Sequence, residues 1–391
     1  VPATLTTVDS LLKEIYGPRV ENQLQSETVA LTRIERTSDG VVETVGGKYV
    51  DFPIRVGRNS GIGYRNESEA NPTAGQQGYA EVHVGLKKGL GVARFTNEVM
   101  QLAEKNYQAF ASSMDNEMEY LKDDLSKDSN RVVYGDSTGL MAMITDTAVS
   151  TSHTVDNAQY LNIGDRVDIL TASNGATVQL NILITDINGL TVTFDTSFTG
   201  ATTAGIFRQG NYGREPSGLG TIVSATTTLF GLAPASQRKW AAVIDAPGAD
   251  RALSEGLMIT MCDNVRINGG KTSVILTSLG VRRAYFNLLT QQRRYTDTKQ
   301  FAGGFQGLAF NYGSEIPVVE DPDAPPKTMW GLDEDKFKVY RNKPWHWADE
   351  DGNVLKWIAG YDVFECYMRQ YWQIGLTQRN AQWKAANITE G

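Results

Sequence analysis

Histidine and cysteine are nearly absent from this chain, with three of one and two of the other in 391 residues. His83, His153 and His346 lie far apart with no ligand spacing between them, so the sequence offers neither a metal centre nor an acid–base pair. Cys262 and Cys366 make no disulfide framework, and reduced thiols of a cytosolic product are the expectation. No run of 18 apolar residues exists to carry a helix across a bilayer. The opening residues, Val1 to Thr7, lack the basic and apolar regions of a signal peptide, and the missing initiator Met fits either its removal before Val1 or proteolytic maturation. A Walker loop, a G-x-S-x-G elbow, H-E-x-x-H and C-x-x-C are all missing, and Gly303-Gly304-Phe305-Gln306-Gly307 reads as a turn. No catalytic residue, cofactor or metal is therefore expected. Net charge is −8, whereas tight non-specific DNA binding needs a cationic surface. A chain of this charge would confine nucleic acid rather than grip it.

What is abundant is glycine, and it is unevenly placed. Ten glycines fall between positions 46 and 95, against 38 in the whole chain. Tyr49 to Val56 and Tyr79 to Leu86 read as strands flanking a polar tip, residues 57–78. An isolated two-stranded ribbon is marginal in water, so this arm needs a cover, and a second copy of the chain is the simplest one. Lys48, Arg55, Arg58, Arg65, Lys87, Lys88 and Arg94 outnumber Asp51, Glu67, Glu69 and Glu81 there, seven against four, or +3.

A helix is expected after Thr96, a good N-cap, with Val99, Ala103, Tyr107, Phe110, Met114, Met118, Leu121 and Leu125 forming one apolar stripe. Thirty residues of it span about 45 Å. Asp123, Asp124 and Asp128 then crowd its expected C-terminal turns, where the helix dipole disfavours acids. Eight acids against three lysines between 96 and 128 give −5. A basic arm and an acidic rod suggest pairing between subunits, with Arg55, Arg58, Arg65, Lys87, Lys88, Asp123, Asp124 and Asp128 as the contact candidates; two solvated faces are the alternative.

Residues 161–210 read as an inserted β-module. Val178, Leu180, Ile182 and Ile184 alternate, an Asn188-Gly189 turn follows, and Leu190, Val192 and Phe194 alternate after it. Thr145 to Thr154 and Thr199 to Gly205 read as its connections. Helices are expected over 251–264 and 280–294, with a buried strand at Val274-Ile275-Leu276. Short strands are expected at 337–340, 345–348 and 354–359. The stripe Phe364, Cys366, Met368, Gln370, Trp372, Ile374 and Leu376 predicts one long strand of roughly 50 Å, matched in length to the helix and packed along it. Asp333-Glu334-Asp335 and Asp349-Glu350-Asp351 read as solvated turns, with an interface ion pair or a calcium site as alternatives.

The run Phe305-Gln306-Gly307-Leu308-Ala309-Phe310, then Glu315 to Pro325, then Thr328-Met329-Trp330-Gly331-Leu332-Asp333 and a closing Arg379-Asn380-Ala381, resembles the C-terminal half of tailed-bacteriophage major capsid proteins. That fold is shared with encapsulins and the herpesvirus capsid floor. The resemblance implies an α+β phage major-capsid fold with an N-arm (1–40), an extended hairpin loop (41–95), a peripheral domain with a spine helix (96–150), an inserted β-domain (155–212), an axial domain (213–335), return strands of the peripheral domain (336–378) and a C-terminal segment near the axial domain (379–391). It implies a homo-oligomer of hexamers and pentamers in an icosahedral shell around double-stranded DNA, bound without sequence specificity and without a membrane. No charged coiled-coil prodomain precedes the arm, so a separate scaffolding protein or an earlier cleavage is implied, beside a portal and a decoration protein. The virion is the implied location, assembled in the host cytoplasm. Lys87 and Lys88 are conceivable donors for an isopeptide crosslink, but non-covalent contact is the expectation. An encapsulin-like compartment, or a carbohydrate-binding β protein using Trp330, Trp345 and Trp347, is the alternative.

Overall fold

The computed structural model describes residues 27–36, 41–43, 49–98, 107–293, 308–349 and 352–391. Residues 1–26 and the expected Gly303 to Gly307 turn lie outside them. The chain enters as α1 (Val29–Arg36), which buries Ala30 and Ile34, and continues into β1 (Val41–Glu43). The antiparallel hairpin follows, β2 (Tyr49–Gly57) and β3 (Gly78–Gly85), in register from Tyr49 opposite Gly85 to Gly57 opposite Gly78. Pro53 is tolerated because a two-stranded ribbon is all edge, so its missing N–H breaks no central ladder. β4 (Lys87–Thr96) comes next. Asn97 and Glu98 are helical, and α2 is described over Tyr107–Tyr134. The helix therefore runs six residues beyond Asp128, and residues 129–134 are its buried end.

β5 (Leu140–Met143), β6 (Val149–Thr154), β7 (Arg166–Thr171), β8 (Thr177–Asn188), β9 (Thr191–Thr199) and β10 (Ala204–Arg208) form one sheet in the order 5-10-7-8-9-6. An Ile144–Val155 bridge joins its two edges, so the sheet closes on itself around Ile169, Ile182, Ile184, Val192 and Phe194. Closure leaves no open edge for another strand to extend. Val149–Thr154 lies in one expected connection and Ala204–Arg208 begins in the other, yet both are strands of this barrel: β6 alternates and buries His153, while Ala204 to Phe207 are buried without alternation. His153 is buried against Phe198 and bonded to Asp146 at 2.8 Å, a packing residue.

The remaining elements are α3 (Leu219–Ile222), β11 (Val243–Asp245), α4 (Glu255–Ile267), β12 (Val274–Thr277), α5 (Leu279–Arg293), β13 (Leu308–Asn311), β14 (Glu315–Glu320), β15 (Met329–Leu332), β16 (Phe337–Arg341), β17 (His346–Trp347), β18 (Lys356–Trp357), β19 (Val363–Leu376) and β20 (Trp383–Ala385). α4 starts four residues later than the sequence suggests: Ser254 caps it by accepting the Leu257 N–H, while Arg251 is held in a bridge to Ile388. One mixed sheet runs β11-β20-β15-β12-β14-β13, with the α4 and α5 side chains Met258, Met261, Val281 and Tyr285 in its core. Trp330 is fully buried there under the Lys384 ammonium, 4.4 Å from the ring centre, and Asp333 is buried as well. Neither is the exposed residue that a sugar platform or a solvated acidic turn would need.

In the other mixed sheet β19 is the axis. β4 pairs along one edge over ten residues, and β16, β17 and β18 pair in turn along the other, with β1 parallel to β16. The alternation of its apolar stripe is real, with Cys366, Met368, Gln370, Trp372 and Ile374 all buried. The helix, however, closes on β4. Gly91 lies under Leu125, where an added Cβ would stand 2.5 Å from Leu125 Cδ1, so glycine is needed for close packing here and not for flexibility.

Two buried polar residues join these layers. Asp321 is fully buried and accepts hydrogen bonds from the Ala30 N–H (2.9 Å), the Asn130 amide (3.2 Å), the Tyr134 hydroxyl (3.1 Å) and the Asp323 N–H (2.9 Å). Arg379 is equally buried and donates to the carbonyls of Ile222 (2.7 Å), Thr227 (2.8 Å), Thr221 (2.9 Å) and Trp240 (3.3 Å). Burial draws its guanidinium down to about 10, still protonated at neutral pH. Arg379→Met should leave these carbonyls unpaired and cost about 3 kcal/mol or more. Lys271→Met, which removes only the exposed pair with Asp335, should cost at most about 1 kcal/mol. Urea unfolding of the unassembled subunit measures both.

Candidate assembly surface

The hairpin is half docked and half free. Along its stem Val50, Phe52 and Ile54 face inward opposite Val82 and Val84, which are fully buried. Phe52 stacks on Tyr340 at 6.5 Å, and the His83 N–H donates to the Phe230 carbonyl at 3.1 Å. Among the described residues the tip beyond Gly57 is braced by its own bonds: Asn59 Oδ1 accepts the Gly61 N–H at 2.7 Å, and Arg65 donates to the Ala70 carbonyl at 3.0 Å. Ile62 is 81% exposed and Tyr64 100%, values that a side chain with a partner surface would not keep.

The eight candidate residues divide accordingly. Arg55 and Arg58 are exposed on the hairpin, with Arg55 making one long bond to the Gly57 carbonyl at 3.4 Å. Arg65 is exposed but braces its own loop. Lys87 and Lys88 belong to β4 rather than to the hairpin, and Lys87 donates to the Gly213 carbonyl at 3.2 Å. Asp123 and Asp124 are exposed on α2. Burial, with Asp123, Glu117 and Asp165 crowding it, raises the Asp124 carboxyl against the pull of Arg208. Among the described residues no hairpin arginine pairs with Asp123 or Asp124.

Asp128 is already paired within its own subunit. It accepts from Arg131 at 2.8 Å and lies 3.2 Å from Arg208, both in its own subunit. Arg131 also reaches the buried Glu215, which takes the Asn211 amide at 2.6 Å. These contacts fasten the C-terminal end of the barrel to α2, and Asp128 is not at the helix terminus where the dipole would penalise it.

A cleft of 650 Å3 opens between the hairpin and the body, lined by Arg55, Arg58, Lys239 and Lys336 and by no carboxylate. On a chain of net charge −8 this cleft is cationic. Sequence reading misses Lys239 and Lys336, which are 184 and 281 residues from Arg55 along the chain.

Burial pushes Asp128 up, but Arg131 and Arg208 outweigh it and hold its carboxyl below the usual range. A depressed carboxyl contributes stability above its unfolded pKa, near 3.9, and loses it as pH falls through the folded value. Asp128→Asn should therefore cost about 1–3 kcal/mol at pH 7. The gap to the parent should shrink steadily below about pH 4. Urea titrations from pH 7 to 3 test this; a gap that persists unchanged at pH 3 contradicts it.

Comparison with known proteins places this architecture. The chain superposes over 99% of its length on the whole of a subunit from the cyanophage A-1(L) capsid asymmetric unit, with a TM-score of 0.65 at 17% identity. It superposes on a subunit from the capsid of the native GTA particle with a TM-score of 0.53 at 10% identity, covering 99% of each chain. Identities this low speak for the fold. No curated protein matches the chain in sequence. The model of the SU10 major capsid protein family matches residues 115–351, more than half of the chain, from within α2 through the barrel to just past β17. The chain thus belongs to the SU10 major capsid protein family and is the major capsid protein of a tailed phage, a subunit of its shell.

Proposed function

We propose that hexamers and pentamers of this subunit close an icosahedral shell around the phage's double-stranded DNA, with the hairpin of each subunit clamping a neighbour. The observation that carries this reading is the hairpin tip, whose Ile62 and Tyr64 stand in solvent at the end of a stem that is rigidly docked at its base. Closed symmetry repeats each contact many times, so a modest apolar and charged clamp suffices. In this reading α2 and the β19 sheet make the peripheral domain, the β12 sheet makes the axial domain, residues 1–40 form an arm, and the barrel is an addition to the shell.

Arg55 and Arg58, at the cleft, are the cations that meet a neighbour's Asp123 and Asp124. The crowded, raised carboxyl of Asp124 supports this, because like charges gathered at one place gain most from an external cation. Net charge of −8 suits a wall that confines DNA without binding its sequence. A separate scaffolding protein, a portal and a decoration protein complete the assembly, which takes place in the host cytoplasm and is held by non-covalent contacts.

Two experiments test the clamp. Replacing residues 58–77 by an Asn-Gly turn joins Gly57 to Gly78, which already face each other across the ribbon. The subunit should remain folded by circular dichroism yet give no closed shells in electron micrographs; complete shells would show that the tip is no clamp. Arg58→Glu should lower shell yield, and Asp123→Arg with Asp124→Arg in the same chain should recover part of it. Equal yields from all three proteins would remove these residues from the contact.

A further inference from the structure

We propose that Asp51, Glu81 and His83 form a binding site for a divalent transition-metal ion on the outer face of the hairpin stem. Their ligand atoms, two carboxylate oxygens and one imidazole nitrogen, all lie within 4.8 Å of one another. The strand register creates the group. Asp51 sits directly opposite His83, Pro53 sits opposite Glu81, and Glu81 and His83 are two residues apart on one strand, so all three point to the same face.

The distances suit one ion. Metal–oxygen and metal–nitrogen bonds of about 2.0–2.2 Å place neighbouring donors roughly 3–4 Å apart, and small side-chain rotations cover the difference. Asp51 Oδ1 and His83 Nδ1 are already 2.7 Å apart. Glu81 makes no hydrogen bond or ion pair among the described residues, because Pro53 across from it offers no polar group. Its carboxylate is thus available without breaking anything.

The scaffold beneath is fixed, which separates this group from acids scattered on a mobile surface. Val82 and Val84, on either side of His83, are fully buried, and the His83 backbone is tied to Phe230. Gly231 leaves room beside the ring, where an added Cβ would be 3.4 Å from His83 Cδ2. The nearest cation along this face, Arg55, lies one pair further toward the tip, opposite Tyr79, and turns to the Gly57 carbonyl.

An imidazole with two carboxylates selects borderline ions such as zinc, manganese or cobalt over calcium and magnesium, which favour all-oxygen shells. Water fills the remaining positions. The ion would join β2 to β3 across the ribbon and stiffen the stem that carries the free tip. The site does not depend on how the shell closes.

The test uses the full-length unassembled subunit, stripped with a chelator and titrated calorimetrically with zinc chloride alone at pH 7. One saturable site per subunit is expected. Glu81→Gln should weaken it at least tenfold, and the combined Asp51→Asn, His83→Gln variant should abolish it. All three side chains are exposed, so the variants should keep the parent's circular dichroism, and this is checked first. Absence of saturable binding by the parent, or binding weakened less than tenfold in the variants, overturns the proposal. Shell formation by the same variants, scored separately, reports on the clamp.

Discussion

Among the described residues no cation pairs with the carboxylate of Asp321, and much of the fold depends on how that charge is accommodated. An isolated buried carboxylate is costly unless hydrogen bonds replace its water. Here the donors come from three separate pieces of chain: the first turn of α1, Asn130 and Tyr134 at the end of α2, and the backbone of Asp323. Burial and the adjacent Asp321 hold the Tyr134 phenol well above its usual range, so it stays a donor. Asp323 continues the join, accepting from Lys127 at 2.8 Å while its carbonyl takes the Tyr160 hydroxyl of the barrel segment at 2.6 Å. Spine helix, arm helix, barrel and β12 sheet thus converge on three residues, 321–323.

Such a join makes a stiff body, and a stiff body gives the hairpin something to act against. Arg379 does the same elsewhere in the body by gathering four carbonyls of the 221–240 segment, from which the Phe230 carbonyl reaches His83 of the hairpin stem. The barrel, by contrast, has its own closed core and is fastened at its C-terminal end through Arg131 and Glu215 and at the 157–160 loop between β6 and β7. Its surface is therefore open to change without disturbing the shell body.

Several elements are legible without coordinates because they rest on local periodicity. The hairpin strands, the β19 stripe, the Asn188-Gly189 turn and the α5 helix repeat at 2.0 or near 3.6 residues, and local steric preference is enough to reveal them. The failures share a different cause. Asp128 looks misplaced only if α2 ends there; burial of Val132, Val133 and Tyr134 carries the helix on, and two arginines, one from the barrel, absorb the charge. Lys87 and Lys88 look like arm residues because a glycine-rich run continues through them, yet Gly89 and Gly91 serve packing under Trp345 and Leu125. Glycine in a sequence does not say whether it bends the chain or admits a neighbour.

The sequence by itself determined the shortage of histidine and cysteine, the acidic balance of the chain and the presence of a glycine-rich hairpin, since each follows from composition or from contacts a few residues apart. Only the tertiary structure decided which charges remain available and which are absorbed. Asp128 pairs with Arg208 across 80 residues, Asp321 binds the Ala30 amide across 291, and His83 meets Asp51 across 32. The physical reason is that an ionic or hydrogen-bonded partner is chosen by proximity in space and by desolvation, and neither leaves a period in the sequence.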